Sequence, residues 1–493
     1  MKLWAIITLL MARNILASAM EGSYTPRWRW KKNFGGKIKS IKSTGHSPTC
    51  KYKQTFHGRY PDESESPALL ASFKDYEAFH SVAADSESFS EGLQKYIHSP
   101  QDIKNRYLIF SVRTCSTGLG NRLLPLISAY LLAMLTRRVL LVDFNDYSVE
   151  DILCNPLGSS SWSFPRNVKW SKIKTADRGG GSFAVADIDN DKIYKMATLT
   201  ISDRTDATTI DHLICDGDLG RKWRNVQIVR VMSNYYLVPA LFMNPFYQKR
   251  LQALFPHHDV ARKLLRYLII PTDQIFSQVQ KSLATMPEGF YGLQFRTFAN
   301  HLDMREVDQA IECIETTLGR GKDPTILVAS LNADMLFKHI SNRRMWNITY
   351  HYADGIQIPG KDQAANALHE VFVLAHAREL FVSPRSTLGY LATAFRGGGA
   401  VFIPSGIHAN LATDCKRDYS SEPCFHRSLS VLETLCSNHN DFGLQKSNLD
   451  SLFIPCQDTI GFKLQGSHFS KSVRAQKRKL VDDQDLRFHD RLL

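Results

Sequence analysis

An apolar stretch, Leu108-Ile-Phe-Ser-Val, runs through Arg113-Thr-Cys115-Ser-Thr into the turn Gly118-Leu-Gly120-Asn121-Arg122; a mostly apolar run at 123–135 and a second at 139–144 follow. A short strand, a two-glycine turn, a helix and another apolar strand form a βαβ unit, which commits its surroundings to a parallel sheet. Pro125 narrows the register. Its ring fits the first helical turn and clashes with a preceding one, so the helix begins close to Asn121. Gly118 and Gly120 then stand where unpaired N–H groups and the positive end of the helix dipole can face an anion, an interaction worth roughly 0.3–2 kcal/mol per charge. A tight turn without a ligand satisfies the same spacing.

The second half repeats the alternation. Strands are predicted at 290–295, 325–329, 380–382 and 400–403, with helices at 307–318, 362–378 and 388–395. Earlier come a strand at 226–231, an apolar stretch at 234–239, and helices at 246–255 and 261–270. Residues 62–106, where Leu69, Leu70, Phe73, Tyr76 and Phe79 recur, read as an exposed helical lead-in, and the glycine- and serine-rich 151–182 as irregular loop. Repeated strand-helix-strand units imply parallel sheets with helices on both faces, and ligands of such sheets bind at the carboxyl ends of the strands.

Three groups follow strand ends: the Gly118–Arg122 turn, Arg296, and Ser383-Pro-Arg385-Ser386-Thr387-Leu-Gly389-Tyr390; Ser330, after the 325–329 strand, joins them. Arg296 offers a planar charged fork for two oxygens, or one half of a structural ion pair. Ser386 and Thr387 can cap the next helix or present hydroxyls and N–H groups to an anion, and Gly389 would admit close backbone approach. No metal set emerges. Asp187-Ile-Asp-Asn-Asp191 lacks the glycine and glutamate of an EF-hand, and His257, His258, His351 and His369 have no ligand spacing. Neither G-x-S-x-G nor H-E-x-x-H occurs, so esterase and zinc-protease chemistry have no support.

The 493 residues have room for two or three domains. The net charge of +13 is concentrated: residues 22–60 hold ten Lys/Arg and no acid, so the rest is only mildly basic. Such a segment could meet nucleic acid or a membrane surface, but no base-reading motif accompanies it, and it reads as a solvated stem. Ahead of it, Lys2, an apolar run at 3–11 broken only by Thr8, and Ala17-Ser18-Ala19 form a signal peptide or short signal anchor. Cys415, Cys424, Cys436 and Cys456 crowd into 42 residues at a spacing unlike a zinc site and read as disulfide staples. Asn347-Ile-Thr349 is the only glycosylation sequon.

Taken together, the chain resembles the plant xyloglucan fucosyltransferase family. The matching pieces are Gly118-Leu-Gly-Asn-Arg122 with Leu135-Thr-Arg-Arg-Val-Leu-Leu-Val142, Ser161-Trp162 through Pro165, Val238-Pro-Ala-Leu-Phe242, Tyr291-Gly-Leu-Gln-Phe-Arg296, Ser386-Thr-Leu-Gly-Tyr390 and Glu422-Pro-Cys-Phe-His426. The resemblance implies an α/β chain with two Rossmann-like domains facing across a cleft (GT-B). Residues 1–20 would be the signal segment and 21–63 the basic stem. An acceptor-side domain (64–280), a nucleotide-sugar domain (281–465) and a polar tail (466–493) would follow. It also implies GDP-fucose as donor and a galactosyl residue of xyloglucan as acceptor, with an inverted α-1,2 linkage and neither metal nor cofactor. The location would be the Golgi lumen, at the membrane if residues 1–20 anchor the chain, with room for a homodimer. Arg296 would hold the pyrophosphate, with Ser330, Ser386, Thr387, Gly389 and Tyr390 around the nucleotide; Gly118, Gly120, Asn121 and Arg122 would face it across the cleft. Arabinogalactan-protein is the alternative acceptor, and a GDP-fucose-binding relative without turnover the alternative activity. Where the family often has an acid, this chain has Asn234, so the resemblance nominates no general base; Leu388 and Arg385 are further departures.

Overall fold

The structure, a computed structural model, describes residues 49–53, 66–86, 105–112, 117–158, 161–166, 168, 183–184, 188, 194–201, 212–257, 259–296, 303–344, 346–350, 360–384, 386–403, 415, 417–418, 424–425 and 454–455. The signal segment, residues 22–48 of the stem, Arg385, Cys436, Cys456, the acidic fragment apart from Ile188, and the tail lie outside the described residues.

Helix α1 (Pro67–Ser86) precedes the first sheet, whose strands are β1 (Tyr107–Ser111), β2 (Val139–Asp143), β4 (Phe183–Ala184), β5 (Tyr194–Ile201) and β6 (Val226–Ser233). Their order is β2-β1-β6-β5-β4, with every neighbour parallel. Helix α2 (Gly120–Thr136) makes the crossover from β1 to β2, and β3 (Leu153–Cys154) pairs with β7 (Ile270–Pro271) apart from this sheet. After β6 come α3 (Val238–Met243), α4 (Pro245–Leu254), α5 (Val260–Leu268) and α6 (Asp273–Thr285). The second sheet joins β8 (Tyr291–Gln294), β9 (Thr325–Ala329), β10 (Asn347–Tyr350), β11 (Glu379–Val382), β12 (Ala400–Phe402) and β13 (Arg417–Asp418). Its order is β10-β9-β8-β11-β12-β13, parallel except at β13. Helices α7 (Met304–Leu318), α8 (Ala333–Ser341), α9 (Lys361–Ala375) and α10 (Thr387–Arg396) link its strands.

Strands β1, β2, β9 and β11 are buried on both faces, which is why they are mostly runs of Leu, Ile, Val and Phe with little alternation. α2 is buried along almost its whole length, because one continuous apolar core runs from β1 through α2 to α10 and β11. The two halves are thus packed together through their helices. α1 corrects the exposed lead-in: Leu69, Phe73 and Tyr76 are fully buried, and the Tyr76 hydroxyl donates to the Arg138 carbonyl at 2.6 Å. The 234–239 stretch is a turn followed by α3, with Pro239 in the first helical turn. The 280/281 division falls inside α6, one continuous helix.

The stem is not solvated throughout. Cys50 is disulfide-bonded to Cys154, and the Asp273 carboxylate at the start of α6 accepts from the backbone N–H groups of Lys51 (3.0 Å) and Tyr52 (3.1 Å). The bond closes a loop of about a hundred residues, for which chain entropy allows a stabilisation of up to about 4.7 kcal/mol. Cys50→Ser with Cys154→Ser is therefore expected to lower the melting temperature in a non-reducing thermal scan and leave the donor KM unchanged. Cys415 is bonded to Cys313 of α7, a partner outside the C-terminal cysteine group in which the sequence placed it; Cys215 is disulfide-bonded as well.

Candidate active site

In each sheet the strand order reverses at one place, the position where open α/β sheets take ligands. In the second sheet the chain leaves β8 toward β9 and β10 on one side, and returns to β11 on the other. The sequence-nominated residues meet at that reversal. Arg296 lies two residues past β8, and its backbone N–H donates to the Ser383 hydroxyl, just past β11, at 2.9 Å. Ser383 in turn donates its N–H to the Gln294 carbonyl at 3.0 Å, so the two strand ends are tied together. The Arg296 side chain reaches solvent, yet the protein around it removes enough water to lower the guanidinium pKa from its usual value. Ser330 is on the neighbouring strand end, its hydroxyl accepting from the Asn332 N–H at 3.3 Å.

Ser386 occupies the N-cap of α10. Its side chain makes no capping bond, and its Oγ, fully buried, has no hydrogen-bond partner. The Gln294 Oε1, also buried, is unpartnered and lies beneath the same first turn. A helix N-terminus whose cap residue does not answer its N–H groups, set beside an arginine, favours an anion.

The glycine turn reaches this place from the other half of the molecule. A Cβ on Gly120 would lie 2.5 Å from Thr387 Oγ1 and 2.6 Å from the Thr387 carbonyl carbon, so the N-termini of α2 and α10 touch. This contact is by itself a reason for glycine at 120. Gly120→Ala must displace backbone, and is expected to cost about 1–3 kcal/mol in thermal stability and to raise the donor KM as α10 shifts. Gly118 faces open space, and Asn121 is half-buried at the helix start, which falls one residue earlier than predicted.

Three nominated residues do other work. Arg122 is buried, and both its terminal nitrogens engage the Asp146 carboxylate at 2.6 and 3.0 Å, while Nε donates to the Thr117 carbonyl at 2.7 Å. It braces the turn from beneath. Gly389 faces inward, where an added Cβ would meet Gln294 Oε1 at 3.0 Å and Val382 at 3.2 Å, so its small size serves the seating of α10 on β11. Tyr390 is buried against Phe402 with ring centroids 6.4 Å apart. Asn347 is exposed at the start of β10, and its Nδ2 donates to Thr325 Oγ1 at 3.2 Å.

The first sheet carries a polar group that sequence reasoning passed over. Its strand order reverses between β1 and β6, and there Arg230 Nε donates to the Ser111 hydroxyl at 3.1 Å, while that hydroxyl donates to Asp143 Oδ2 at 3.4 Å. Burial lowers the Arg230 pKa to about 10, against the opposing pull of Asp143. The signal was present in the sequence: Ser111 and Asp143 end apolar strands, and Arg230 interrupts the apolar stretch from Ile228 to Met232.

The profile of the family described as "Xyloglucan fucosyltransferase" matches residues 25–317 of this chain. The chain belongs to the xyloglucan fucosyltransferase family. That match includes the glycine turn and Arg296 and stops short of α10. Relatives extend it: a probable fucosyltransferase 5 of Arabidopsis thaliana is 28% identical, covering 84% of each chain. A galactoside 2-alpha-L-fucosyltransferase of Pisum sativum is 27% identical over 76% of this chain and 73% of its own. Among solved structures, a mutant of Arabidopsis thaliana FUT1 in complex with GDP superposes with a TM-score of 0.60 at 22% identity, covering 75% of this chain and 92% of that one. This member of the xyloglucan fucosyltransferase family therefore has the GT-B fold, with parallel-sheet α/β units on either side of a cleft. No group of three or more metal-ligating side chains is present among the described residues, and no helix among them is long and apolar enough to cross a membrane.

Proposed function

We propose that this protein transfers fucose from GDP-fucose to a galactosyl residue of xyloglucan, forming an α-1,2 linkage with inversion and without a metal. The observation that carries this reading is the pairing of Arg296 with the uncapped N-terminus of α10 at one strand-order reversal. Relatives named as galactoside 2-alpha-L-fucosyltransferases and a structural neighbour with GDP support the choice of donor and acceptor. Breaking the bond from fucose to GDP leaves negative charge on the β-phosphate while the sugar becomes oxocarbenium-like. A fixed guanidinium and a helix N-terminus stabilise that charge without reorganising, and so lower the barrier. Thr387 and Ser330 add hydroxyls at the same edge, and Gly118 leaves the opposite wall open. We place the protein in the Golgi lumen, tethered by its N-terminal segment, and allow for a homodimer.

GDP release from GDP-fucose, with galactosylated xyloglucan and arabinogalactan-protein as parallel acceptors, tests the reading. Release that depends on xyloglucan supports it. Release with arabinogalactan-protein alone would replace the acceptor, and GDP-fucose binding without release to either would make the chain a binding relative. A chain that does not bind GDP-fucose is no fucosyltransferase.

A further inference from the structure

Transfer also needs a group on the acceptor side. The attacking hydroxyl must lose a proton, and Asn234, just past β6, carries an amide that cannot take one. The structure offers a different carboxylate. Asp143 is the last residue of β2, next to Ser111 at the end of β1, on the carboxyl edge where the first sheet's strand order reverses. That edge adjoins the donor side through a short chain of contacts. The residue after Asp143, Phe144, gives its carbonyl to Arg122 at 3.0 Å, and Arg122 is two residues from Gly120, which touches Thr387 at the start of α10.

Three other acids near this edge, among the described residues, have partners of their own. Asp146 is bound to Arg122 through both oxygens, Glu150 accepts from Ser161, and Asp151 closes a capping box with Ser148. Among the described histidines, His80 is buried on the Leu140 carbonyl, His212 pairs with Asp216 in its own helical turn, and His339 pairs with Asp308. Asp143 is oriented from two sides, by Ser111 through Oδ2 and by the Asn145 N–H through Oδ1 at 2.9 Å. Arg230 holds the Ser111 hydroxyl at 3.1 Å, which fixes the direction from which Ser111 meets the carboxylate. A further orphan lies at the end of β6: the Asn234 Oδ1 is buried without a partner, an acceptor suited to a sugar hydroxyl.

On the reading of the protein as a GDP-fucose transferase, we propose that Asp143 is the general base that takes the proton of the acceptor hydroxyl, with Ser111 and Arg230 as positioning residues. The hydroxyl oxygen forms the new bond to the fucosyl anomeric carbon as the bond to the β-phosphate oxygen breaks. The bonding pair leaves with GDP, and the hydroxyl proton passes to the Asp143 carboxylate and from there to solvent.

The test measures transfer to galactosylated xyloglucan and GDP affinity side by side in the full chain and its variants. Asp143→Asn keeps the shape and hydrogen bonds but removes the basicity, and is expected to lower kcat by about 10²–10⁴-fold at unchanged GDP affinity. Ser111→Ala is expected to lower kcat about tenfold with the acceptor KM unchanged, a split that a merely structural role would not give. Asp143→Asn with kcat within about threefold of the parent overturns the proposal. A variant that loses GDP affinity along with transfer overturns it as well, by making Asp143 a residue of the fold. Failure of the unaltered chain to bind GDP or GDP-fucose is a separate result, which removes the donor reading and this inference with it.

Discussion

Arg296→Ala is expected to reduce fucosyl transfer by about 10²–10³-fold, the loss seen when one preorganised donor to a developing oxyanion is removed. The effect should fall mainly on kcat. A guanidinium beside the leaving phosphate meets more charge in the transition state than in the bound donor, so its removal costs more at the barrier than in binding. Arg296→Lys is expected to recover only part of the rate, because a compact ammonium does not span two phosphate oxygens. The backbone supports a local interpretation: the Arg296 N–H is held by Ser383, a bond the alanine variant keeps, so β8 and β11 stay tied. Steady-state kinetics with GDP-fucose, alongside GDP affinity by calorimetry, separate the two contributions. A variant with unchanged kcat and unchanged KM would remove Arg296 from the leaving-group site and leave α10 alone to carry the charge.

The second sheet was legible in the sequence because its signals are local. Strands at 325–329 and 380–382, each followed within a few residues by Ser330 or by Ser386, announce both the parallel sheet and the edge where ligands sit. Elements missed were those whose pattern is mixed. β5 alternates buried Met196, Leu199 and Ile201 with Lys195, Thr198 and Thr200 after a glycine-rich loop, and β10 is an edge strand with no fully buried residue. Residue environments were not legible where they depend on distant partners. Gly120 and Gly389 look like phosphate-loop glycines, but Thr387 in one case and Val382 with Gln294 in the other fill the space beside them. Cys415 sits near three other cysteines in sequence while its partner is 102 residues away. Asp143 reads as the polar end of an apolar strand until Ser111 and Arg230 appear beside it.

Arg122→Met is expected to destabilise the protein by about 3–5 kcal/mol, because removing one member of a buried ion pair strands the other. The Arg122 and Asp146 side chains are 3% and 14% exposed, so the abandoned carboxylate has little water to turn to. Arg122 also stacks against Phe144 and Tyr147, at 5.3 and 4.9 Å from their ring centroids, and holds the Thr117 carbonyl, so the turn before α2 loosens with it. Replacing both partners by apolar residues of similar volume, Arg122→Met with Asp146→Leu, should recover much of the loss, since the desolvation cost of the pair disappears with the charges. Thermal unfolding of the single and double variants measures this directly. The kinetic consequence follows from the same geometry: a guanidinium committed to Asp146 does not bind phosphate, so the folded fraction of the double variant should keep its donor KM within about twofold. A tenfold rise in that KM without a loss of stability would instead put Arg122 in the nucleotide site. The two arginines of the sequence motifs thus divide by burial: the one closed over a carboxylate holds the turn, and the one open to solvent at the strand-order reversal is the one that the proposed function puts against the substrate.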